Sequence, residues 1–299
     1  MKVLLAYDGS SYAEMAITTL KALHLREKTK IIVLSVLPEH TLLGDINFHL
    51  FTGEAPSKKR LREEQQRRID EFLEAPIQSL TKSGFDAEKL VQSGNTAEAI
   101  LKVAKETRAS LVVMGAKGLA DPTAFKLGST AQRVMRHCSA SVLLIRKETG
   151  LVNKVMLATD GSKHADRAVQ FLLQLPLPKR AQVIVVTALK SHAAAIMSMP
   201  TLDLEANRKL IEDLQKAEEE AGLRIVRETA GVFQKKGYKT LHEVFRGDVA
   251  ESILMAANQH KPEIITVGAK GLTAIETFFL GSVAERVARY AKCSVLICR

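Results

Sequence analysis

At 299 residues the chain is long enough for about two ordinary domains, and 46% hydrophobic residues supply enough apolar material for two buried cores. The formal net charge of +10 is spread evenly, with 22 Lys and Arg against 17 Asp and Glu in residues 1–149 and 21 against 16 in residues 150–299. Because no basic tail and no interleaved aromatic residues accompany this charge, it argues against a nucleic-acid-binding protein.

The cysteine pattern and the start of the chain bear on the cellular location of the protein. Cys138, Cys293 and Cys298 do not have the spacing of a disulfide framework or a zinc site. The apolar start MKVLLAY is too short for a signal peptide, and no run of 18 apolar residues predicts a membrane span. We therefore expect a cytoplasmic protein that does not associate with membranes.

The sequence repeats itself after about 153 residues. KVLLAYDGS at Lys2–Ser10 returns as KVMLATDGS at Lys154–Ser162, and GAKGL at Gly115–Leu119 returns at Gly268–Leu272. The segment SVLLIR returns as SVLICR at the end of the chain. A period this long indicates duplicated domains and not a solenoid.

Each copy alternates short β-branched runs with longer amphipathic segments, which predicts β–α–β units and a parallel sheet. We predict one domain at 1–148 and a second at 152–299. In chain order, the first copy has predicted elements at 2–7 (strand), 11–25 (helix), 30–36 (strand), 58–82 (helix, interrupted or kinked near Pro76), 85–91 (strand), 95–107 (helix), 110–115 (strand), 128–137 (helix) and 141–146 (strand). The second copy has predicted strands at 153–159, 182–188, 239–245, 263–267 and 294–298. The predicted fold class is α/β: two tandem open parallel sheets of five strands, with helices on both faces.

The first strand of each copy ends in DGS, at Asp8 and Asp160. One interpretation is a turn in which Asp and Ser cap the next helix. The other is that the carboxylate faces the crevice at the carboxyl ends of the strands and accepts hydrogen bonds from ribose hydroxyls. The loop after strand four favours the second interpretation.

That loop reads G-x2-G, then nine residues, then G-S at the start of a helix, with the same spacing in both copies. Glycines allow the backbone to approach a ligand, and a helix N-terminus presents N–H groups and a partial positive charge to an anion. The motif therefore predicts a cradle for a di- or triphosphate. It is neither a P-loop nor a Rossmann G-x-G-x-x-G. Its residues are Gly115, Gly118, Gly128, Ser129 and Thr130 in the first copy, and Gly268, Gly271, Gly281, Ser282 and Val283 in the second.

These features resemble the universal stress protein family, in the subclass whose G-x2-G-x9-G-[ST] motif binds ATP. The resemblance covers essentially the whole chain and rests on DGS, on GAKG with GS, on the arginine-bearing final helix and on the SVLLIR-like last strand. It implies two Rossmann-like domains of the adenine nucleotide alpha hydrolase type. It also implies ATP as the ligand, with or without Mg²⁺, and a regulatory role in a stress response.

Residue by residue, the resemblance implies that Asp8 and Asp160 contact the ribose, and that Val36 and Ala188 offer backbone groups to adenine. The ribose would also be lined by Gly115 and Gly268. The phosphates would be held by Gly118, Gly128, Ser129 and Thr130, and in the second copy by Gly271, Gly281, Ser282 and Val283.

Several alternatives remain open. Met114 precedes the first loop and Val267 the second, so the two base pockets need not be equal. Lys117 and Lys270 either reach phosphates or face solvent. Family members commonly pair through their last strand, so the resemblance allows an internal pseudo-dimer of the two domains and a homodimer of the chain.

Three functions fit these features. The first is a nucleotide-binding regulator in which phosphate contacts order the 119–127 and 272–280 segments and so change the interaction with a protein partner. The second is slow ATP hydrolysis, although Asp8 and Asp160 are better placed for the ribose and no second carboxylate is tied to the phosphate loop in both copies. We assign no catalytic residue and no metal ligand. The third is an interaction scaffold that binds no nucleotide or uses the 38–57 or 190–202 segment for another ligand.

Overall fold

The structure is a computed structural model that describes residues 1–25, 28–37, 58–118, 127–189, 207–271 and 280–299. Contacts within the chain divide it into two compact units, Met1–Gly150 (unit 1) and Leu151–Arg299 (unit 2). Unit 1 contains β1 (Lys2–Ala6), α1 (Ser11–Ala22), β2 (Lys30–Leu37), α2 (Lys58–Thr81), β3 (Asp86–Ser93), α3 (Thr96–Glu106), β4 (Leu111–Gly115), α4 (Ser129–His137) and β5 (Ser141–Ile145). Unit 2 contains β6 (Lys154–Ala158), α5 (Lys163–Gln174), β7 (Gln182–Leu189), α6 (Arg208–Gln234), β8 (Lys239–Arg246), α7 (Val249–His260), β9 (Ile264–Gly268), α8 (Ser282–Tyr290) and β10 (Ser294–Cys298).

The strands within each unit pair in parallel, in the order β3-β2-β1-β4-β5 in unit 1 and β8-β7-β6-β9-β10 in unit 2. Val3, Leu4 and Leu5 are fully buried, as expected of a central parallel strand covered on both faces. The direction in which strands are added reverses between β1 and β4, and between β6 and β9. In such sheets this reversal opens a crevice at the carboxyl ends of the strands.

The helices cover the sheet with apolar faces spaced at helical period. In α3, for example, the buried residues are Ala97, Ile100, Val103 and Ala104. In unit 1, α1 contacts α2 and α3 contacts α4, which is the pairing expected of two helical layers on opposite faces. The predicted α/β fold class is confirmed. None of the described helices is both long enough and apolar enough to cross a membrane.

Helix α2 continues through Pro76, so the interruption predicted there is wrong, whereas the alternative of a kink stays a prediction. Proline removes one backbone donor and crowds the preceding turn, which makes an interruption a reasonable expectation from sequence. However, Leu73 and Leu80, on either side of Pro76, are fully buried. Burial of both flanking turns stabilises the helix as one element despite the missing hydrogen bond.

Candidate functional site

The residues after β1 form a turn that fixes the carboxylate of Asp8. Gly9 has a φ of +73°, a left-handed conformation that glycine adopts without strain. The Ser10 N–H donates to Asp8 Oδ1 at 3.0 Å, and Ser10 Oγ accepts from the N–H of Ala13 at 3.2 Å, which caps α1. The cap interpretation of DGS is therefore correct. Within the turn, Asp8 uses only one of its two carboxylate oxygens, Oδ1.

Unit 2 reproduces this turn after β6. Gly161 has a φ of +71°. The Ser162 N–H donates to Asp160 Oδ1 at 3.0 Å, and the Ala165 N–H donates to Ser162 Oγ at 3.2 Å, which caps α5. The two turns thus have the same length, the same aspartate contact and the same serine cap.

The second oxygen of each aspartate lies against the glycine loop that follows the fourth strand. A Cβ atom at Gly118 would be 2.8 Å from Asp8 Oδ2, and a Cβ atom at Gly271 would be 2.8 Å from Asp160 Oδ2. This separation is shorter than a carbon and an oxygen in ordinary contact, so a side chain at either position would displace the carboxylate. In each unit, therefore, two segments more than a hundred residues apart form one site.

Backbone hydrogen bonds tie the glycine loop to the start of the next helix. In unit 2 the Ala269 N–H donates to the Cys298 carbonyl at 2.8 Å, and the Gly281 N–H donates to the Ala269 carbonyl at 2.8 Å. Unit 1 has the same two bonds, at 2.8 and 2.9 Å. Both ends of the motif are consequently held at fixed positions relative to the sheet.

Helices α4 and α8 begin at glycine N-caps, Gly128 and Gly281, whose backbone is extended. Within the described part of the chain, no side chain makes a capping hydrogen bond at either helix start. A serine caps α1 and α5 in the same units. The first-turn N–H groups of α4 and α8 are therefore left for water or an anion.

In unit 2 these segments surround a cavity of about 380 Å³. Its walls are the carboxyl ends of β6, β7 and β9, the glycine loop, the N-terminal parts of α7 and α8, and Ala165 of α5. All seven residues that the sequence assigned to the second site line this cavity: Asp160, Ala188, Gly268, Gly271, Gly281, Ser282 and Val283. The glycine motif, the strand-one aspartate and the end of strand two thus meet at one place.

Sequence reasoning missed other residues of this cavity. Val186 precedes Ala188 by two positions and shares its face of β7, so the two-residue period of a strand could have found it. Val249 and Ile253 come from α7. Their position depends on how that helix packs on the sheet, and no local pattern in the sequence reports it.

Comparison with known proteins agrees with the duplicated motif. The model of the universal stress protein family matches residues 1–146 and again residues 152–299. The chain belongs to the universal stress protein family. Its two matches correspond to the two halves of the sequence repeat, so the chain carries the family's domain in tandem.

Individual members of the family match one half of this chain or all of it. A universal stress protein of Methanocaldococcus jannaschii is 30% identical over 154 residues, which is 52% of this chain and 86% of the relative. One from Thermus aquaticus is 31% identical over 146 residues, which is 48% of this chain and 97% of the relative. The crystal structure of a universal stress protein from Archaeoglobus fulgidus DSM 4304 covers 100% of this chain and 98% of its own, with a TM-score of 0.67 and 20% identity, a likeness of fold.

The first universal stress protein domain places its predicted residues at the corresponding positions. Val36 is next to last in β2 and half-buried, and Ser129 and Thr130 open α4. A Cβ atom at Gly115 would be 2.6 Å from Tyr12 Cβ, so this glycine packs closely against α1. Asp8 and Gly118 meet as described above, and Gly128 is the N-cap of α4.

The two loop lysines differ in their surroundings. Lys270 lines the cavity of unit 2 and is partly exposed. Lys117 is only 5% exposed, so the alternative that it faces solvent is wrong. Most of the lysine side chain is an apolar methylene chain. This chain can be buried at a strand end while the ammonium group reaches a polar region.

A titratable residue of unit 2, His164, lies close to the site. Its backbone carbonyl would be 2.8 Å from a Cβ atom at Gly268. Burial and the positive charges of Arg167 and Lys270 hold the pKa of His164 below its usual range, and Asp160 opposes them. In unit 1 the same position of α1 holds Tyr12.

Some predicted features fall outside the described residues. These are most of the 119–127 and 272–280 segments, which the sequence predicts to be ordered by phosphate, and the 38–57 and 190–202 segments of the scaffold hypothesis. Among the residues that are described, no group of three or more His, Cys, Asp or Glu side chains is arranged to hold a metal ion.

Proposed function

We propose that this chain is a stress-response regulator that binds an adenine nucleotide, ATP, in the cavity of unit 2 and at the corresponding place in unit 1. The observation that carries the proposal is the convergence of all seven predicted second-copy residues on one cavity. Its volume of about 380 Å³ falls within the range of small-molecule sites. The resemblance of both glycine loops to the family's ATP-binding motif supports ATP as the ligand.

The geometry supports a specific orientation of the nucleotide. The uncapped first turn of α8 and the partly exposed Lys270 suit the phosphates, because both offer positive potential and N–H donors. Asp160 keeps Oδ2 directed toward the loop, where a carboxylate accepts hydrogen bonds from vicinal ribose hydroxyls. The apolar wall of Ala188 and Val267 then faces the adenine ring.

A divalent cation would enter this site together with the phosphates. Mg²⁺ prefers oxygen ligands and usually keeps several waters, and it is commonly held by phosphate oxygens and one or two carboxylates. Asp160 is a carboxylate at the site, and the described residues form no larger acidic cluster. The protein would therefore recognise the Mg²⁺ complex of ATP mainly through the nucleotide.

The regulatory part of the proposal follows from how the site is built. A bound nucleotide would bridge the turn after β6, the loop after β9 and the start of α8, three segments that meet only in the folded unit. Its binding free energy would therefore favour one arrangement of these segments, and a protein partner that contacts them would distinguish the bound from the free form.

The experiment begins with mass spectrometry of small molecules released from the denatured, purified protein. ATP titration then compares the wild type with a Gly128→Val, Gly281→Val double variant. A Cβ atom at these positions would be 3.4 and 3.3 Å from the Ala116 and Ala269 carbonyl oxygens, so the larger valine side chain would disturb both cradles. Gly150→Val is the matched control, because a Cβ atom at Gly150 meets nothing within 4 Å.

We expect released ATP or ADP, saturable ATP binding by the wild type and by Gly150→Val, and loss of binding in the double variant with its circular dichroism spectrum retained. A folded wild type that releases no nucleotide and shows no saturable ATP binding would contradict the proposal and favour a scaffold. Phosphate release under the same conditions separates a binding protein from a slow ATPase.

A further inference from the structure

The apolar wall of the cavity is formed by side chains at the strand ends, and these side chains differ in size between the two units. In unit 2 this wall contains Val186 and Ala188 of β7 and Val267 of β9. Leu34, Val36 and Met114 occupy the same places in unit 1. Each of the three residues in unit 1 has a larger side chain than its counterpart.

The strand registers show that these are equivalent positions. Leu34 pairs with Ala6 of β1, as Val186 pairs with Ala158 of β6. Met114 is the residue before the loop glycine in β4, as Val267 is in β9. The larger side chains therefore start from matching backbone positions at the carboxyl ends of matching strands.

Apart from Thr159, whose counterpart Tyr7 is larger, the rest of the cavity wall is identical between the units or changed without a gain in size. The glycines, both aspartates, the loop lysines and the serines at the helix starts are identical. Thr96 and Thr130 of unit 1 correspond to Val249 and Val283 of unit 2, and threonine and valine are close in volume. The difference in size is thus concentrated on the apolar wall, away from the phosphate cradle.

Tyr7 replaces Thr159 but does not carry the argument. Its ring packs against Phe72 of α2, with ring centroids 5.2 Å apart, and its hydroxyl donates to Glu14 of α1. These contacts direct the tyrosine toward the helical layer of α1 and α2. Most of the helical residues that line the cavity of unit 2 belong to α7 and α8, whose counterparts in unit 1 are α3 and α4, and only Ala165 comes from α5, the counterpart of α1.

We infer that the two sites are unequal, and that unit 2 is the principal adenine-nucleotide site while the larger side chains of unit 1 exclude much of the base. This inference rests on the proposed function. In a hydrophobic pocket, one methylene group changes discrimination by about 10- to 200-fold. Three enlarged residues on one wall therefore give unit 1 an ATP affinity at least about tenfold weaker than that of unit 2.

Equilibrium dialysis with ATP on single-site variants of the full chain tests this inference. Gly128→Val leaves unit 2 intact, and Gly281→Val leaves unit 1 intact. We expect the first variant to retain the tight binding at about one ATP per chain and the second to lose it. In the Gly281→Val background, the combined Leu34→Val, Val36→Ala and Met114→Val changes should strengthen ATP binding by about tenfold or more.

The reciprocal variant protects the test against misfolding of the opened unit 1. In the Gly128→Val background, Val186→Leu, Ala188→Val and Val267→Met should weaken ATP binding by a similar factor. Inorganic triphosphate, which lacks the base, should bind with little change in either set. Two sites of equal ATP affinity in the wild type would overturn the inference and leave the proposed function standing, whereas no ATP binding at all would overturn both.

Discussion

At the level of single residues, the site depends on an aspartate whose two oxygens have separate partners. Oδ1 of Asp160 accepts from the Ser162 N–H at 3.0 Å, and Oδ2 faces Gly271. The first contact fixes the side-chain orientation, since a carboxylate held by a backbone N–H loses rotational freedom. The second contact explains why this loop position is glycine in both units.

His164 gives a residue-scale prediction about pH. Its pKa lies below the usual range because of burial and the nearby cations Arg167 and Lys270, with Asp160 acting in the opposite direction. An anion bound next to Lys270 favours the imidazolium form, so we expect nucleotide binding to raise this pKa. By linkage, ATP affinity at unit 2 should then increase as the pH falls through the raised pKa of ATP-bound His164, and this gain is complete below the pKa of free His164. Nuclear magnetic resonance of the imidazole, with and without ATP, measures the shift directly.

The control for this prediction is His164→Gln, which removes the titrating group and keeps only the pH dependence of the nucleotide phosphates. Unit 1 supplies an internal control, because Tyr12 stands at the corresponding position. An unchanged His164 pKa on saturation of unit 2 with ATP would contradict the placement of the phosphates beside Lys270.

At the level of secondary-structure elements, ion pairs connect the helices beside the site. Arg286 of α8 bonds to Asp248, the N-cap of α7, at 2.7 Å, and this contact lowers the pKa of Asp248. In unit 1, Arg133 of α4 bonds to Glu98 of α3 at 2.8 Å. These side chains are largely exposed, so solvent screening leaves each pair only a small contribution to the stability of the fold. Their main effect is to position the start of α8 relative to α7.

Helix α6 provides an element-scale prediction because two of its glycines have opposite surroundings. A Cβ atom at Gly231 meets nothing within 4 Å, whereas one at Gly222 would be 2.8 Å from Leu189 Cδ1 and 2.9 Å from Val244 Cγ1. We expect Gly231→Ala to stabilise the protein by about 0.5–1 kcal/mol, since alanine is the better helix former. Gly222→Ala should lose this gain to overpacking and destabilise by about 1 kcal/mol or more.

Urea unfolding followed by circular dichroism measures both changes. The two variants make the same chemical substitution in the same helix, so each is the control for the other. A stabilisation by Gly222→Ala equal to that by Gly231→Ala would show that α6 does not pack closely on β7 and β8.

At the level of the whole molecule, duplication has preserved one part of the site and changed another. The glycine loop, the aspartate turn and the helix start are repeated with the same hydrogen bonds. The apolar wall and position 12 of unit 1 differ from their counterparts in unit 2. If the proposed nucleotide orientation holds, both units would bind phosphate groups and differ in their selectivity for the rest of the ligand.

Hydrogen exchange with mass spectrometry tests this difference on the intact chain. With ATP limiting, we expect slower exchange at the first turn of α8 (Ser282–Tyr290) and at β9 (Ile264–Gly268) before any change at α4 (Ser129–His137). At free ATP about 100 times the dissociation constant of unit 2, ligand binding stabilises that unit by about 2.7 kcal/mol. Adenosine, which lacks phosphates, is the control for protection that depends on phosphate contacts at the start of α8. Simultaneous protection of α4 and α8 at every ATP concentration would contradict unequal sites.

The sequence by itself determined the duplication, the parallel α/β fold and the place of the glycine loops, because repeats, strand and helix periods and motif spacing are properties of neighbouring residues. Other features were decided by the tertiary structure. The meeting of Asp160 with Gly271, the continuity of α2 through Pro76, the burial of Lys117 and the addition of Val249 and Ile253 to the cavity wall are examples. Each depends on packing between segments far apart in the chain, and the free energy of such packing overrides local preferences that the sequence expresses on its own.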